Sequence, residues 1–218
     1  DARSTLSRCE TGQFQLPEEI SSELDKRVSG FSQKTFALLE TLRKFKANVT
    51  LDPDTAHPQL VLSEDGKGVR WEQTRQPLPD TPERFDTKLC VLVCEGFTSG
   101  RHSWEVEVGG GGYWAVGVAR ESVSRKGEIS LSPEGGVWAV GYVLSQFWAL
   151  TSPKETLLTL SRAPSRARVC LDCDQGQVTF IDAGDEAPIF TFPPGSLPGE
   201  RIQPWLWVGR RAWLSLCP

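Results

Sequence analysis

From residue 48 onward, apolar and polar positions alternate in short runs, as in antiparallel β-strands. The clearest run is 103–108, where Trp104, Val106 and Val108 share one face and two glutamates share the other. Further runs cover residues 59–62, 89–94, 113–119, 137–143, 147–151, 167–171, 177–181, 189–192, 202–208 and 213–216. Because turn clusters rich in Gly, Pro and Ser separate these runs, the pattern predicts a mainly β fold, an antiparallel sandwich or barrel.

The first 47 residues show a helical spacing instead. Two apolar stripes recur at intervals of three and four residues, as on one face of a helix. The first consists of Ile20, Leu24, Val28 and Phe31, and the second of Thr35, Leu38, Leu39, Leu42 and Phe45. Each stripe is too short for a stable isolated helix, so we expect it to lie on the β domain or on a partner helix. We therefore divide the chain into a linker with helices, 1–47, and a β domain, 48–218.

The charge balance and the lengths of the apolar runs argue against two classes of partner, nucleic acids and membranes. The chain has 24 Lys and Arg against 28 Asp and Glu, a net charge of −4, so we expect no nucleic-acid binding by the β domain. Since no apolar run reaches the roughly 18 residues of a membrane span, we also expect no membrane contact. The chain contains no methionine, even at its first position, so it reads as part of a longer protein.

No pattern in the chain indicates catalysis. The only two histidines, His57 and His102, have no nucleophile motif such as G-x-S-x-G near them. The glycine run 109–112 precedes a strand pattern and lacks a following Lys-Ser/Thr pair, so it predicts a hairpin turn and not a phosphate-binding loop. We expect no catalytic residue in this chain.

The cysteine spacings argue against a metal site. Cys90 and Cys94 are four residues apart on an apolar strand pattern and share a face, whereas Cys170 and Cys173 fall on opposite faces of a strand. The second pair therefore cannot grip one ion without a bulge. We expect free cysteines in a reducing compartment, no disulfide, no structural metal and no cofactor.

Eight tryptophans are many for 218 residues, and their positions suggest two roles. Four lie in alternating runs and are expected to fill the space between two sheets: Trp104, Trp114, Trp138 and Trp148. Trp205 and Trp207 alternate with apolar residues, so they share one face of a strand. Whether that face is core or binding surface stays open from the sequence.

Three short motifs follow one another along the β region: LDPDTA at 51–56, WEVEV at 104–108 and LDCDQGQVTF at 171–180. Together they resemble the PRY-SPRY domain of the tripartite-motif (TRIM) and butyrophilin family. Residues 51–56, LDPDTA, resemble the opening PRY signature, and 104–108, WEVEV, resemble the central SPRY signature. Residues 171–180, LDCDQGQVTF, resemble the third signature, with Cys173 in place of its usual Tyr. The ending 216–218, LCP, also fits. The resemblance covers 48–218, with PRY at about 48–100 and SPRY at about 101–218.

The resemblance implies a bent, concanavalin-like two-sheet β-sandwich without catalytic activity, whose loops bind a protein or peptide. In TRIM proteins the domain follows a RING, a B-box and a coiled coil. There it selects substrates for an E3 ubiquitin ligase, often in innate immune or regulatory ubiquitination. In butyrophilins it is the cytoplasmic tail of a receptor and can bind a phosphorylated small molecule.

The segment before residue 48 favours the TRIM arrangement, because 8–10 (RCE) and 16–18 (LPE) resemble the linker after a TRIM coiled coil. The parent is then expected to be a RING E3 ligase in the cytoplasm, with the nucleus as an alternative location. A dimer formed through the upstream coiled coil is a further expectation. The butyrophilin-like ligand sensor is the alternative function.

The family's groove maps onto four stretches here: 87–90, 128–131, 141–147 and 205–211. The candidate partner-binding residues in these stretches are Lys88, Cys90, Leu131, Gly141, Tyr142, Gln146, Phe147, Trp205, Trp207, Arg210 and Arg211. Aromatic groups beside arginine are typical anchors of protein interfaces. If the ligand is anionic instead, Lys88 would have to converge with some of the cations Arg125, Lys126, Arg210 and Arg211.

Overall fold

The described part of the protein is a sandwich of two antiparallel sheets. The computed structural model describes residues 45–109, 111–160 and 162–218. The two predicted helical stripes, apart from Phe45, lie outside these residues. Within them the structure has thirteen strands and one short 3-10 helix at Pro133–Gly135. The mainly β prediction is confirmed.

The larger sheet has seven strands in the order β1-β2-β13-β4-β9-β10-β11. Its strands are β1 (Leu60–Leu62), β2 (Gly68–Trp71), β4 (Arg101–Gly109), β9 (Arg166–Asp172), β10 (Gln177–Asp182), β11 (Pro188–Phe192) and β13 (Trp213–Leu216). Segment 45–47 continues the line of β13 along β4, where the Ala47 N–H donates to the Ser103 carbonyl at 2.7 Å.

The smaller sheet has six strands in the order β3-β12-β5-β6-β7-β8. Its strands are β3 (Cys90–Leu92), β5 (Trp114–Arg120), β6 (Val137–Val143), β7 (Gln146–Ala149), β8 (Thr156–Leu158) and β12 (Ile202–Val208). Strands β2 and β8 were not foreseen from the sequence. Both are short, and together they contain only one buried residue, Val69.

The main core lies between the two sheets. Trp104, Trp114 and Trp138 are at most 5% exposed there, as expected from their positions in alternating runs. They pack with the inward residues of both sheets, among them Val116, Val140, Leu171, Phe180, Leu206 and Leu214. Burial of this much apolar surface is the dominant stabilising contribution.

A second, smaller core lies on the opposite, outer face of the six-stranded sheet. It contains Phe85, Cys90, Leu92, Ala115, Ala119, Val123, Val137, Ala139 and Trp205, with Ile129, Leu131, Leu150 and Trp207 packed against it. Three of these residues, Val123, Ile129 and Leu131, belong to the loop 121–132 between β5 and the 3-10 helix, which we call the cover loop. The six-stranded sheet is therefore apolar on both faces.

The glycine run does not form a hairpin turn, so that prediction is wrong. Strand β4 ends at Gly109 in the seven-stranded sheet, whereas β5 begins at Trp114 in the six-stranded sheet. The connection therefore passes from one sheet to the other. Gly111 has a φ of 66°, a conformation that glycine adopts without steric cost.

Candidate functional site

A row of side chains crosses the outer face of the six-stranded sheet beside the second core. The strand register pairs Trp207 with Ala115, Ala115 with Gly141 and Gly141 with Trp148. Residues paired in this way lie on the same face of the sheet, and we call these four the tryptophan row. Trp148 is in turn paired with Leu157 on the edge strand β8, and Leu157 is 50% exposed.

The tryptophan row forms a shallow depression, because small residues separate two large ones. Trp207 and Trp148 are both partly exposed, and three strand spacings of about 4.8 Å each separate them. Gly141 cannot carry a side chain without displacing backbone, since an added Cβ would lie 2.6 Å from the Trp114 carbonyl oxygen. The floor between the two indoles therefore has to stay low.

Further exposed apolar side chains surround the turn between β6 and β7. Leu144 and Ser145 form this two-residue turn with φ values of 51° and 63°, as in the hairpin turns that match strand twist. Leu144 is 71% exposed, and Tyr113, one residue before β5, is 40% exposed. Because isolated apolar residues are common on surfaces but contiguous ones are not, this end of the sheet is a candidate interface.

The cover loop is fixed over the other part of the outer face by Asp86. The Asp86 N–H donates to the Arg125 carbonyl at 3.2 Å, and its carboxylate accepts from the Gly127 N–H at 2.8 Å. This hydrogen bond and a second one from Thr87 lower the pKa of the Asp86 carboxyl. The buried His57 ring also contacts the Asp86 carbonyl, with Nε2 at 3.1 Å.

A cavity of about 350 Å³ opens beside the cover loop. Its lining residues come from the cover loop, the 3-10 helix, the segment after β7 and one residue before β3. They are Lys88, Ile129, Ser130, Leu131, Ser132, Glu134, Leu150, Thr151, Ser152, Pro153 and Glu155. The Lys88 ammonium lies 2.6 Å from a carboxylate oxygen of Glu128. We call this space the polar cavity.

Four of the predicted partner-binding residues pack in or against the two cores. Cys90 and Trp205 have no exposed surface because the second core encloses them, and burial raises the pKa of the Cys90 thiol. Tyr142 and Phe147 point toward the space between the sheets, where the Phe147 ring packs edge-on to Trp114 at 5.9 Å. The structure thus places these four residues in or against the two cores, and their direct contact with a partner stays a prediction.

Five of the predicted residues are placed where a partner can reach or rest on them. Gly141 forms the floor of the tryptophan row, Trp207 forms one side of it, and Leu131 and Lys88 line the polar cavity. Gln146 is exposed on β7 beside the Leu144–Ser145 turn. Their binding role stays a prediction.

The cations considered for an anionic ligand do not converge. The Arg125 guanidinium lies over the Phe85 ring at 5.2 Å and donates to backbone carbonyls, and burial lowers its pKa. Lys126 is paired with the Asp80 carboxylate. Arg210 lies 5.9 Å from the ring of Trp71 in the other sheet, so it turns away from the tryptophan row.

Arg211 is exposed in the turn between β12 and β13. Its φ of 65° places it in the left-handed region. This turn joins the two sheets, and no hydrogen bond or ion pair connects the Arg211 side chain to Lys88 or to the polar cavity. The structure therefore does not bring Arg211 together with the other predicted groove cations.

Sequence reasoning missed Trp148, which it placed between the sheets. The alternation of β7 puts Phe147 inward and Trp148 outward, the reverse of the expectation. The two-residue turn at Leu144 and Ser145 could have shown the outward position of Trp148. A turn of this length fixes the register that places Trp148 opposite Gly141. The acidic residues of the polar cavity gave no signal, since they come from separate segments.

The described residues hold neither a metal-binding cluster nor a membrane-spanning helix. Within 45–109, 111–160 and 162–218, no group of three or more His, Cys, Asp or Glu side chains could hold a metal ion. The five cysteines of this part, Cys90, Cys94, Cys170, Cys173 and Cys217, are free. No helix among the described residues is long and apolar enough to cross a membrane.

A sandwich with a loop-bounded, partly exposed apolar row belongs to the class of β-sandwich binding domains. The family model of the SPRY-associated domain, PRY, matches residues 49–97, and that of the SPRY domain matches residues 101–212. The chain belongs to the PRY-SPRY family of the TRIM and butyrophilin proteins. SPRY domains are non-catalytic modules that bind other proteins.

Curated relatives come from both branches of the family. The chain is 49% identical over 205 residues to E3 ubiquitin-protein ligase TRIM15 of Sus scrofa, covering 88% of this chain and 44% of the relative. It is 47% identical over 211 residues to butyrophilin subfamily 1 member A1 of Mus musculus, covering 94% of this chain and 39% of the relative. The chain thus spans about two fifths of the length of these relatives.

A solved structure gives the same fold. The crystal structure of the TRIM65 PSpry domain superposes with a TM-score of 0.72, covering 83% of this chain and 95% of that chain. Sequence identity over the superposed region is 22%, so this similarity supports the sandwich and not a shared target.

Proposed function

We propose that this domain recognises a protein or peptide target on the tryptophan row and selects it as a substrate for a RING-type E3 ubiquitin ligase. The observation that carries the proposal is the partly exposed pair Trp207 and Trp148 on either side of Ala115 and Gly141. Rigid aromatic side chains beside a low floor bury much area at little entropic cost. A depression of this kind suits an apolar side chain of a target.

The ligase part of the proposal is supported by similarity to the pig ligase TRIM15 and by the TRIM-like segment before residue 48. RING, B-box and coiled-coil segments would belong to the remaining length of a parent protein. A parent of this type would act in the cytoplasm or the nucleus, where ubiquitination of innate immune or regulatory targets takes place.

No observation favours the alternative ligand, a phosphorylated small molecule. Phosphate recognition needs several unpaired cations directed at one point. Here Lys88 is paired with Glu128, Lys126 with Asp80, and Arg125 is held by backbone carbonyls. We therefore propose a protein target and not a phosphate-bearing metabolite.

A domain exchange tests the proposal. The corresponding domain of pig TRIM15 is replaced by this chain, and ubiquitinated proteins are quantified by mass spectrometry in cells that express the chimera. We expect a defined set of ubiquitinated proteins that disappears with the double substitution Trp148→Ala and Trp207→Ala, while self-ubiquitination by the RING is unchanged.

The matched control is Trp213→Ala, because Trp213 is 40% exposed on the outer face of the seven-stranded sheet. This variant should keep the full set of targets. Thermal melting of each isolated domain shows whether the variants are folded. An identical set of ubiquitinated proteins for the chimera and its folded double variant would contradict the proposal.

A further inference from the structure

We propose that the polar cavity binds a basic side chain, arginine or lysine, of the same target whose apolar group packs on the tryptophan row. The inference rests on the proposed function and specifies the chemistry of the target. It combines two features of one surface: an apolar row with exposed indoles and an adjoining cavity that is rich in acceptors and acidic groups.

The two features are continuous through the second core. Leu131 and Leu150 line the polar cavity and also pack against the cluster that contains Ala115. Trp207 packs against the same cluster. Leu150 also follows Trp148 by two residues along the same chain segment, so the polar cavity adjoins the tryptophan row at this point.

The charges of the polar cavity favour a cation. Lys88 is neutralised by Glu128 at 2.6 Å. Two further carboxylates line the space: Glu134, which accepts a hydrogen bond from the Ser152 hydroxyl at 2.5 Å, and Glu155. Glu155 is exposed and has no ion-pair partner among the described residues. The exposed Lys154 is not part of the lining.

The uncharged polar groups of the cavity are suited to accept hydrogen bonds. Ser130 and Ser132 share one hydrogen bond between their hydroxyls at 2.8 Å, and the Thr151 hydroxyl bonds to neighbouring groups of its own segment. Each hydroxyl keeps acceptor capacity. A guanidinium has five N–H donors and a long apolar stem, and Leu131 and Leu150 can pack against that stem.

The apolar half of the surface carries a conformational cost that a partner would explain. Leu144 is 71% exposed and has a φ of 51°, so a branched apolar residue occupies a left-handed turn position in contact with solvent. Non-glycine residues in this conformation concentrate at binding and catalytic sites. A target with an apolar residue near a basic one would match both halves of the surface, whereas an anionic group would face unpaired carboxylates.

The test uses three acetylated and amidated peptides that differ at one position: Leu-Gly-Gly-Arg, Leu-Gly-Gly-citrulline and Leu-Gly-Gly-Glu. Citrulline has the shape of arginine without its charge. Each peptide is titrated into the 15N-labelled chain, and binding is followed by NMR at the indole N–H signals of Trp148 and Trp207. The arginine peptide should bind about fivefold more tightly than the citrulline peptide at low salt, and the ratio should shrink at high salt.

The double substitution Glu134→Gln and Glu155→Gln should abolish the preference for arginine. Glu64→Gln, an exposed glutamate in the turn between β1 and β2, should leave it unchanged. Equal affinities for the three peptides, or a preference for the glutamate peptide, would overturn the inference, as would the absence of any shift at either indole. None of these three results decides the proposed function, because the domain exchange measures target selection independently of the charge of the target.

Discussion

The outer faces of the two sheets differ in polarity: one carries mostly charged residues and the other carries mostly apolar ones. On the seven-stranded sheet, most outward residues of β4 and β9 are charged, and several of them form ion pairs between the two strands. Arg168 donates to the Glu105 carboxylate at 2.7 Å and to that of Glu186 at 2.5 Å. On the six-stranded sheet, the corresponding outward positions hold Trp, Ala and Gly.

The difference shows which face needs something to cover it. A face of mutually paired charges can remain in water at little cost, whereas an apolar face stabilises the protein or a complex only when it is covered and water is removed from it. The cover loop removes water from one half of the apolar face, where Trp205 is fully buried. The other half, the tryptophan row, stays partly exposed, and we propose that a target covers it.

The largest expected effect separates the covered half of the apolar face from the exposed half. Trp205→Ala should lower the free energy of unfolding by about 3–5 kcal/mol, because it leaves a large void under the cover loop. Trp207→Ala should cost only about 1–2 kcal/mol, because that side chain is partly exposed already. Denaturant unfolding of the two variants measures both values.

Equal losses for Trp205→Ala and Trp207→Ala would contradict the division into a covered and an exposed half. Trp213→Ala is the control on the other sheet. It should lower the free energy of unfolding by about as much as Trp207→Ala, because Trp213 lies on the outer face of its sheet with 40% of its surface exposed.

The next effect tests the charged face. Arg168→Ala should lower the free energy of unfolding by about 2 kcal/mol, because the carboxylates of Glu105 and Glu186 would lose their shared donor in a partly buried position. Arg70→Ala is the matched control: its ion pair with Glu72 is well exposed and should contribute less than about 0.5 kcal/mol. The free energies of unfolding are measured in urea, and equal losses for the two variants would contradict this expectation.

A smaller effect of opposite sign is expected at the turn between β6 and β7. Replacing Leu144 by Asn and Ser145 by Gly should raise the free energy of unfolding by about 1 kcal/mol, because these residues adopt positive φ with less strain. The same double variant should bind the arginine-containing peptide more weakly, since it removes an exposed apolar group. A gain in stability with unchanged binding would show that Leu144 is not part of the interface.

The fold was largely readable from the sequence, because strand periodicity and three ordered motifs point to the same sandwich. Buried residues such as Trp104 and Val106 alternate with Glu105 in the way the fold requires. The error at the glycine run has a simple origin: a turn sequence shows that the chain reverses, but it does not show whether the next strand joins the same sheet.

The candidate site was only partly readable, because it depends on which face of the sheet is covered. The sequence showed that Trp205 and Trp207 share a face, but only the packing of the cover loop distinguishes the buried one from the exposed one. Trp148 was placed on the wrong face because Phe147 and Trp148 are adjacent and both suit a core. The polar cavity joins Lys88 to Glu155 across 67 positions of chain, and no local pattern connects them.

The smallest expected effect concerns the attachment of the cover loop and comes from His57. The ring is buried; its Nδ1 accepts from the Gln59 N–H at 3.0 Å, so Nε2 carries the proton and donates to the Asp86 carbonyl at 3.1 Å. Burial, and to a lesser degree the charge of Arg75, lower the pKa of His57 below its usual 6.5, while the Asp86 carbonyl and carboxylate act in the opposite direction.

Because the pKa of His57 is lower in the folded protein than in the unfolded chain, the unfolded chain takes up the proton first as the pH falls through 6.5. The stability contributed by neutral His57 is therefore complete above that pH and declines below it.

Amide hydrogen exchange, corrected for its intrinsic pH dependence, should show weaker protection of the cover loop at pH 5.5 than at pH 7.5. His57→Gln should flatten this pH dependence, since a glutamine amide can still donate to Asp86 but does not titrate, and His102→Gln should leave it as in the wild type. An unchanged slope in the His57→Gln variant would mean that the cover loop is held independently of this histidine, so that acidic pH would not extend the exposed half of the apolar face toward Trp205.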